Sequence, residues 1–318
     1  MLELLIAFGV ALYVAWSIGA NDETMSLLAG SGFANVLMAA ALGGIMAFLG
    51  SIFFGYRVEA TVGKGLLLTE ITLMDVLVIM FSVATWMTAA SYWGWPISTT
   101  HSTIGAAIGL GLIKGGLGVI NWGSLTAVAM AWVMSPLIGL FGTVLTVKVI
   151  ERVWHKYAFG LRREIKIARG SAVLLMIASC FTAFSRSAND IAKATAFFSV
   201  IYGSPLLVRF VGGVGMMLGL LVLGRRVIKS VGLNLTKLNP MTALSAQITT
   251  ALTIFIGTFL GLPLSTTHIL VGAVIGVGLT KRIWVNIKGL KEIFYASIAT
   301  FLGTIIISVI IYLVIAAF

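Results

Sequence analysis

One short polar motif occurs twice in this apolar sequence, and its residues are of the types that bind anions. The segments GWPISTTH and GLPLSTTH each place a proline two residues before a serine and two threonines. Proline breaks a helix that reaches it, and serine is a preferred N-cap residue, so each motif predicts a new helix N-terminus. The apolar, Gly-rich stretches that follow are too short to cross a membrane before the next loop, so we expect re-entrant half-helices.

A helix N-terminus offers unpaired N–H groups and the positive end of the helix dipole, which bind an anion without a full positive charge. Two such ends facing each other would enclose a tetrahedral oxyanion. Hydroxyl groups also join membrane helices to one another, but their duplication favours binding. The predicted site residues are Ser98, Thr99, Thr100, Ser265, Thr266 and Thr267.

A second motif pairs an asparagine with an aspartate, as Asn21–Asp22 in SIGANDETMS and as Asn189–Asp190 in SRSANDIAKA. A carboxylate within a membrane span is costly unless it is paired, and it usually marks an ion or substrate path. Carboxylate, amide and backbone oxygens together suit a hard cation such as sodium. The two aspartates could instead carry protons. We therefore predict that these four residues bind the coupling ion, either Na⁺ or H⁺.

A histidine follows each pair of threonines, His101 in the first motif and His268 in the second. Histidine titrates near neutral pH, so the two side chains could gate or couple transport. A histidine after a helix cap also donates to nearby carbonyls and positions the turn, and we favour that structural role.

The motifs belong to an internal duplication. Asp22 and Asp190 are 168 positions apart, Ser98 and Ser265 are 167 apart, and YRVEATVGKG matches RRVIKSVGLN at an offset of 169. Matching polar segments broken by Gly and Pro in two halves are typical of secondary transporters. The expected organisation is a first transmembrane repeat over 1–150, a basic linker loop over 151–170 and a second repeat over 171–318. An odd number of crossings in each repeat would make the two copies inverted around a midplane site.

The composition predicts an all-α integral membrane protein. Hydrophobic residues make up 59% of the chain and charged residues only 10%, whereas a soluble domain carries about 25% charged residues. Apolar runs long enough to span a bilayer recur at Ala34–Phe54, Leu125–Ile150, Leu206–Leu223 and Ile293–Phe318. Of the 21 basic residues, seven lie between Lys148 and Arg169, offset only by Glu151 and Glu164. The positive-inside rule places this 151–170 loop in the cytoplasm. The expected location is the inner or plasma membrane, the lipid bilayer is the expected surrounding, and we expect no nucleic-acid partner.

At these motifs the chain resembles the PiT family of inorganic phosphate transporters. The family signatures are a GANDVANS-like segment and a PVSTTH segment in each repeat, here GANDETMS, SANDIAKA, PISTTH and PLSTTH. The resemblance implies phosphate symport with sodium or protons through an inverted-repeat bundle. It also implies that the Asn-Asp motifs supply cation and substrate ligands and that the Ser-Thr-Thr segments line the phosphate site.

Two residues depart from the family signature. Met25 and Lys193 stand where the motif has its second asparagine. A lysine opposes sodium binding beside Asp190, because like charges interact strongly at short range in a low dielectric. Lys193 is therefore a candidate to replace one coupling cation or to pair with Asp190 or the anion. Arg186, seven residues earlier, shares a helical face with it if the stretch is continuous.

Three alternatives to phosphate symport follow from the same residues. A sulfate or other tetrahedral oxyanion permease would use the same scaffold, although phosphate can donate a hydrogen bond to Asp22 or Asp190 and sulfate cannot. A membrane enzyme is disfavoured, because no third residue completes a nucleophile–base arrangement at His101 or His268. A passive anion channel fits broken helices and buried carboxylates less well than alternating access does. The sequence predicts no cofactor, and it is compatible with a homodimer.

Overall fold

The computed structural model describes residues 2–56, 66–157, 160–202, 205–236, 238–262 and 264–317, and these ranges are almost entirely helical. A 3₁₀ turn spans Gly116–Val119, and a π-helical segment spans Leu220–Gly224. In chain order, the described α-helices are α1 (Leu2–Ala20), α2 (Ser26–Gly30), α3 (Val36–Phe54), α4 (Leu73–Trp93), α5 (Thr99–Gly115), α6 (Trp122–Tyr157), α7 (Leu161–Tyr202), α8 (Pro205–Gly219), α9 (Arg225–Asn234), α10 (Pro240–Phe259), α11 (Thr266–Lys281) and α12 (Ile287–Ala316).

The surface of the bundle is apolar and much of its interior is polar. In the described part of the chain, eight helical segments are long and apolar enough to cross a membrane. Large side chains such as Phe53, Phe141 and Phe294 are mostly exposed, whereas Ser98, Asp190 and other polar residues are fully buried. This arrangement reverses that of a soluble protein, whose surface must face water. The predicted all-α membrane architecture is confirmed at this level.

The basic segment 151–170 differs from the expected loop. α6 continues through it as far as Tyr157, and α7 begins at Leu161. These helices have 36 and 42 residues, whereas about 20 residues cross the hydrocarbon core. Their ends therefore extend past that core, where arginine and lysine are good helix formers. The described residues of this segment are thus helical rather than irregular, because charge signals exposure to water and exposed segments can be helical.

α4 and α5 form one helical hairpin and α10 and α11 form another. At its tip each hairpin turns at a glycine with a left-handed backbone, Gly94 with φ 72° and Gly261 with φ 71°. This conformation strains residues that carry a Cβ. The two glycines are 167 positions apart, so the same turn occurs at the same place in both repeats.

At the foot of each hairpin, the chain entering it lies beside the chain leaving it. The backbone of Leu67, before α4, bridges to Ile120, after α5, and the backbone of Thr236 bridges to Val285 in the second hairpin. The first foot leads directly into the start of α6, at Trp122. The second foot lies near the other end of α6, because Lys281 at the end of α11 forms an ion pair with Glu151.

The two repeats are interlocked. α5 packs on α12 and α11 packs on α6, so each hairpin lies against the long helix that follows the other hairpin. α1 packs on α8 and α3 on α7 in the same crossed manner. Glycines allow these helices to approach closely: a Cβ at Gly272 of α11 would overlap the carbonyl of Pro136 in α6, and one at Gly105 of α5 would overlap α12. This crossed packing holds the two hairpin tips at fixed positions in the interior.

Candidate functional site

The N-termini of α5 and α11 meet in the interior of the protein. Ser98 occupies the N-cap position of α5, as predicted, and its side chain accepts a hydrogen bond from the backbone N–H of His101. Ser265 occupies the same position of α11 without making a cap bond. Its hydroxyl donates instead to Ser98 Oγ over 3.2 Å. The two predicted helix starts are therefore in direct contact.

The next residues cross between the hairpins in a reciprocal manner. Thr100 Oγ1 donates to the carbonyl of Leu264 over 3.2 Å, and Thr267 Oγ1 donates to the carbonyl of Ile97 over 3.3 Å. Each threonine and each carbonyl has its counterpart 167 positions away. The two tips are thus related by the sequence repeat, and their hydroxyl groups converge on one small volume.

The two asparagines of the Asn-Asp motifs hold the extended segments just before these helix starts. Asn21 Nδ2 donates to the carbonyl of Trp95 over 2.8 Å, and its Oδ1 accepts from the N–H of Ile97 over 2.8 Å. Asn189 Nδ2 donates in the same way to the carbonyl of Leu262 over 2.8 Å. These bonds satisfy backbone groups that an unwound segment leaves unpaired. The asparagines therefore support the tips directly.

The two copies of the Asn-Asp motif adopt different backbones. The side chain of Asp22 accepts from the N–H and the hydroxyl of Thr24, two residues on, and α1 ends just before it. This local turn competes with the helix. Asp190 lies within the continuous helix α7, where Arg186 one turn earlier donates from Nε to Asp190 Oδ2 over 3.0 Å. The first motif breaks its helix and the second does not.

Arg186 lies at the centre of a buried cluster of charges. Its Nη1 is 2.8 Å from Glu23 Oε1 and 3.3 Å from Asp22 Oδ1. All three carboxylates of the cluster, those of Asp22, Glu23 and Asp190, are at most 1% exposed. Thr99 Oγ1 donates to Asp190 Oδ1 over 2.8 Å, which links the cluster to the N-terminus of α5. The predicted anion-binding and cation-binding residues therefore form one continuous site.

The two histidines, each in the first turn of its helix, lie close to each other. The rings of His101 and His268 are 4.9 Å apart, and His101 stacks on Trp132 at 3.9 Å. His268 Nε2 lies 3.2 Å from the hydroxyl of Ser297 on α12. Both histidines thus contribute to the packing between the two hairpins.

Three of the residues singled out from the sequence, Thr266, Met25 and Lys193, remain to be placed. Thr266 is a buried residue in the first turn of α11, and Met25 is fully buried. Lys193 belongs to α7, but its side chain lies outside the described part of the structure, as does Pro263. The expected substitution of a coupling cation by Lys193 remains a prediction.

Two charged residues of the cluster escaped the sequence reasoning as site residues. Glu23 directly follows Asp22, and Arg186 was noted only for its spacing from Lys193. Both are charges within apolar segments, which is itself a signal of function. Their pairing was not readable, because 163 positions separate them and only the packing of α1 and α2 against α7 brings them together.

A cavity of about 380 Å³ lies next to the first hairpin tip. Its lining includes Trp95 and Pro96, which directly precede Ile97 and Ser98. It also includes Trp284 and Asn286, at the foot of the second hairpin. The cavity thus touches both that foot and the segment before the first helix start.

These features together define a class of protein. Membrane-length apolar helices, duplicated polar motifs and a buried site of charges and helix N-termini characterise a polytopic membrane transporter. The profile of the phosphate transporter family matches residues 18–308, and the chain belongs to this family. It is a family of transporters and not of enzymes.

Individual relatives agree with this assignment. The chain is 28% identical to a protein of Pyrococcus horikoshii provisionally named a phosphate permease, over 94% of this chain and 93% of that protein. It is 26% identical to the chloroplastic inorganic phosphate transporter 2-1 of Arabidopsis thaliana, over 85% of this chain and 64% of that protein. A solved structure described as the sodium-dependent phosphate transporter covers the whole of both chains with 26% identity and a TM-score of 0.89.

Proposed function

We propose that this chain carries inorganic phosphate across a membrane in symport with sodium. The observation that carries this proposal is the contact between two helix N-termini, lined by hydroxyl donors and linked through Thr99 to buried carboxylates. Hydroxyl and N–H donors at helix ends suit the phosphate oxygens, and carboxylates suit the cation. The similarity to a solved sodium-dependent phosphate transporter supports sodium over protons.

Phosphate binds, in this proposal, where the hydroxyls of Ser98 and Ser265 now bond to each other. The two hairpin tips would separate slightly, and that hydroxyl–hydroxyl bond would be replaced by bonds to phosphate oxygens. Thr99, Thr100, Thr266 and Thr267 surround the same point. Asp190 and Asp22 would accept hydrogen bonds from a protonated phosphate oxygen, which sulfate at neutral pH does not offer.

The two hairpins are, in this proposal, re-entrant and inverted with respect to each other. Support comes from their feet: each hairpin starts and ends at one backbone bridge, and the two feet lie near opposite ends of α6. The stretch from Trp122 to Glu151 rises about 44 Å at 1.5 Å per residue, which exceeds the hydrocarbon thickness of about 30 Å. Alternating access then opens the tips first to one face and then to the other. The cavity between Trp95 and Trp284 is the route to one of these faces.

Uptake of radiolabelled phosphate into proteoliposomes tests the proposal. We expect accumulation with an inward sodium gradient, little with a proton gradient alone, and no inhibition by excess unlabelled sulfate. Liposomes without protein and liposomes with equal sodium on both sides are the controls. Accumulation of sulfate in place of phosphate would overturn the substrate assignment, and proton-driven uptake would overturn the choice of cation.

A further inference from the structure

The charged cluster contains one ion pair, Glu23 with Arg186, whose residues are not repeated in the other half of the chain. At an offset of 168 positions, Glu23 corresponds to Ile191 and Arg186 corresponds to Ile18. Both isoleucines are buried. The other residues of the site, the aspartates, asparagines, serines and threonines, are repeated in both halves. Glu23 and Arg186 therefore break the symmetry of the site together, as one negative and one positive charge that contact each other.

Arg186 and Thr99 both donate hydrogen bonds to Asp190. Asp190 Oδ2 accepts from Arg186 Nε over 3.0 Å, and Asp190 Oδ1 accepts from Thr99 Oγ1 over 2.8 Å. A cation bound at this carboxylate would share it with the guanidinium of Arg186. The side of the site around Asp190 therefore already holds its positive charge, as part of the protein.

The side around Asp22 remains open to a cation. In the described part of the chain Asp22 Oδ2 accepts no hydrogen bond, and Glu23 Oε1 forms an ion pair with Arg186 Nη1 over 2.8 Å. Ser26 Oγ, in the same turn, is also buried and without a partner in the described part of the chain. Among the described side chains of the cluster, three carboxylates and one guanidinium leave two formal negative charges. Such uncompensated charge is costly, and oxygen ligands are those that a hard cation prefers.

We propose that Arg186 is a built-in cation that takes the place of one coupling ion, so that a single sodium ion binds per transport cycle, at Asp22 and Glu23. A site with two unpaired aspartates in symmetric repeats would offer two equivalent cation positions. Arg186 fills the one at Asp190. Glu23 restores the negative charge at the other. This inference rests on the proposed function, because it concerns the cations that drive phosphate transport.

A double variant that copies the other repeat tests the inference. Glu23→Ile with Arg186→Ile removes both charges, leaves the net charge of the cluster unchanged and restores the symmetric pair of aspartates. Sodium dependence of phosphate uptake is expected to have a Hill coefficient of about one in the unmodified protein and about two in the double variant. Glu23→Gln with Arg186→Gln is a more conservative version that keeps polar side chains and is expected to behave in the same way.

The control variant removes an ion pair elsewhere. Lys114 and Asp75 are 2.6 Å apart at the foot of the first hairpin. Asp75→Asn with Lys114→Met is expected to keep the sodium Hill coefficient of the unmodified protein. A merely structural role for Arg186 predicts lower stability in the double variants with no change in the Hill coefficient, and that result would overturn the inference. A coefficient of about two in the unmodified protein would overturn it as well.

A second readout does not depend on transport. A cation that binds only the folded protein raises its stability with a dependence on concentration set by the number of sites. Sodium titrations of the unfolding temperature of the purified protein, with choline as the counter-ion control, are expected to show one site in the unmodified protein and two in the double variants. One-site stabilisation without phosphate uptake would refute the proposed function and support the inference. Sodium-driven uptake with two-site stabilisation of the unmodified protein would support the proposed function and refute the inference.

Discussion

At the scale of single residues, the site combines donors for an anion with carboxylates for a cation, and one hydroxyl joins the two. Thr99 lies at the first position of α5 and donates to Asp190. It belongs to the helix end that should bind phosphate, and it also orients the carboxylate next to it. A path of hydrogen bonds therefore connects the α5 N-terminus through Thr99 to Asp190 and Arg186.

Replacement of Thr99 by valine tests this path. The variant keeps the side-chain shape but loses a hydrogen bond to a charged group, which contributes about 1.5–3 kcal/mol. The KM for phosphate is therefore expected to rise by roughly 10-fold or more. Thr103→Val is the matched control, because Thr103 lies one turn later in α5 and its hydroxyl donates to the backbone carbonyl of Thr99. Equal KM values in the two variants would refute a role for Thr99 at the site.

The same residues show how far the sequence predicts the site. The spacing of Pro96 and Ser98 predicts a helix start with a serine cap, and the structure has one there. The cluster around Arg186 was not predicted, because its contacts join segments far apart in sequence. The different backbones of the two Asn-Asp motifs were also not predicted. Thr24 after Asp22 allows a side-chain turn, whereas Ile191 and Ala192 after Asp190 continue the helix. The shared Asn-Asp pair alone does not indicate this difference.

At the scale of helices, the position of the tips depends on close packing between the repeats. α11 lies against α6 at Gly272, where a Cβ would overlap the backbone of Pro136. The corresponding contact in the first repeat is that of Gly105 with α12. Periodicity and composition indicate apolar helices here, but they do not reveal which helix each glycine faces. The duplication predicts that the two contacts are equivalent, and only the fold shows that each crosses to the other repeat.

Gly272→Ala is expected to destabilise the protein by about 1–3 kcal/mol, because the added methyl group overpacks a backbone contact. Gly9→Ala is the control, since nothing lies near the position of its Cβ, and alanine is the better helix former. Thermal unfolding in detergent should therefore show a lower midpoint for Gly272→Ala and an unchanged or higher one for Gly9→Ala. A Gly272→Ala midpoint equal to that of the unmodified protein would mean that α6 and α11 do not approach this closely.

At the scale of the whole molecule, the two hairpins should enter the membrane from opposite faces. Cys180 is the only cysteine of the chain, so Cys180→Ser gives a background without thiols. In it, Gly118→Cys marks the foot of the first hairpin, and Lys288→Cys, in the first turn of α12, marks the foot of the second. A membrane-impermeant thiol reagent applied to sealed vesicles of one orientation is expected to label one variant and spare the other. Labelling of both from the same face would contradict the inverted arrangement.

The central claim is that phosphate binds between the N-termini of α5 and α11, with sodium at the neighbouring carboxylates. Cryo-electron microscopy of the protein in sodium phosphate, compared with the protein in choline chloride, tests it most directly. We expect tetrahedral density between Ser98 and Ser265, with the two hydroxyls further apart than 3.2 Å, and a separate density beside Asp22 and Glu23. Phosphate density elsewhere in the protein, with the two serines still bonded to each other, would contradict it.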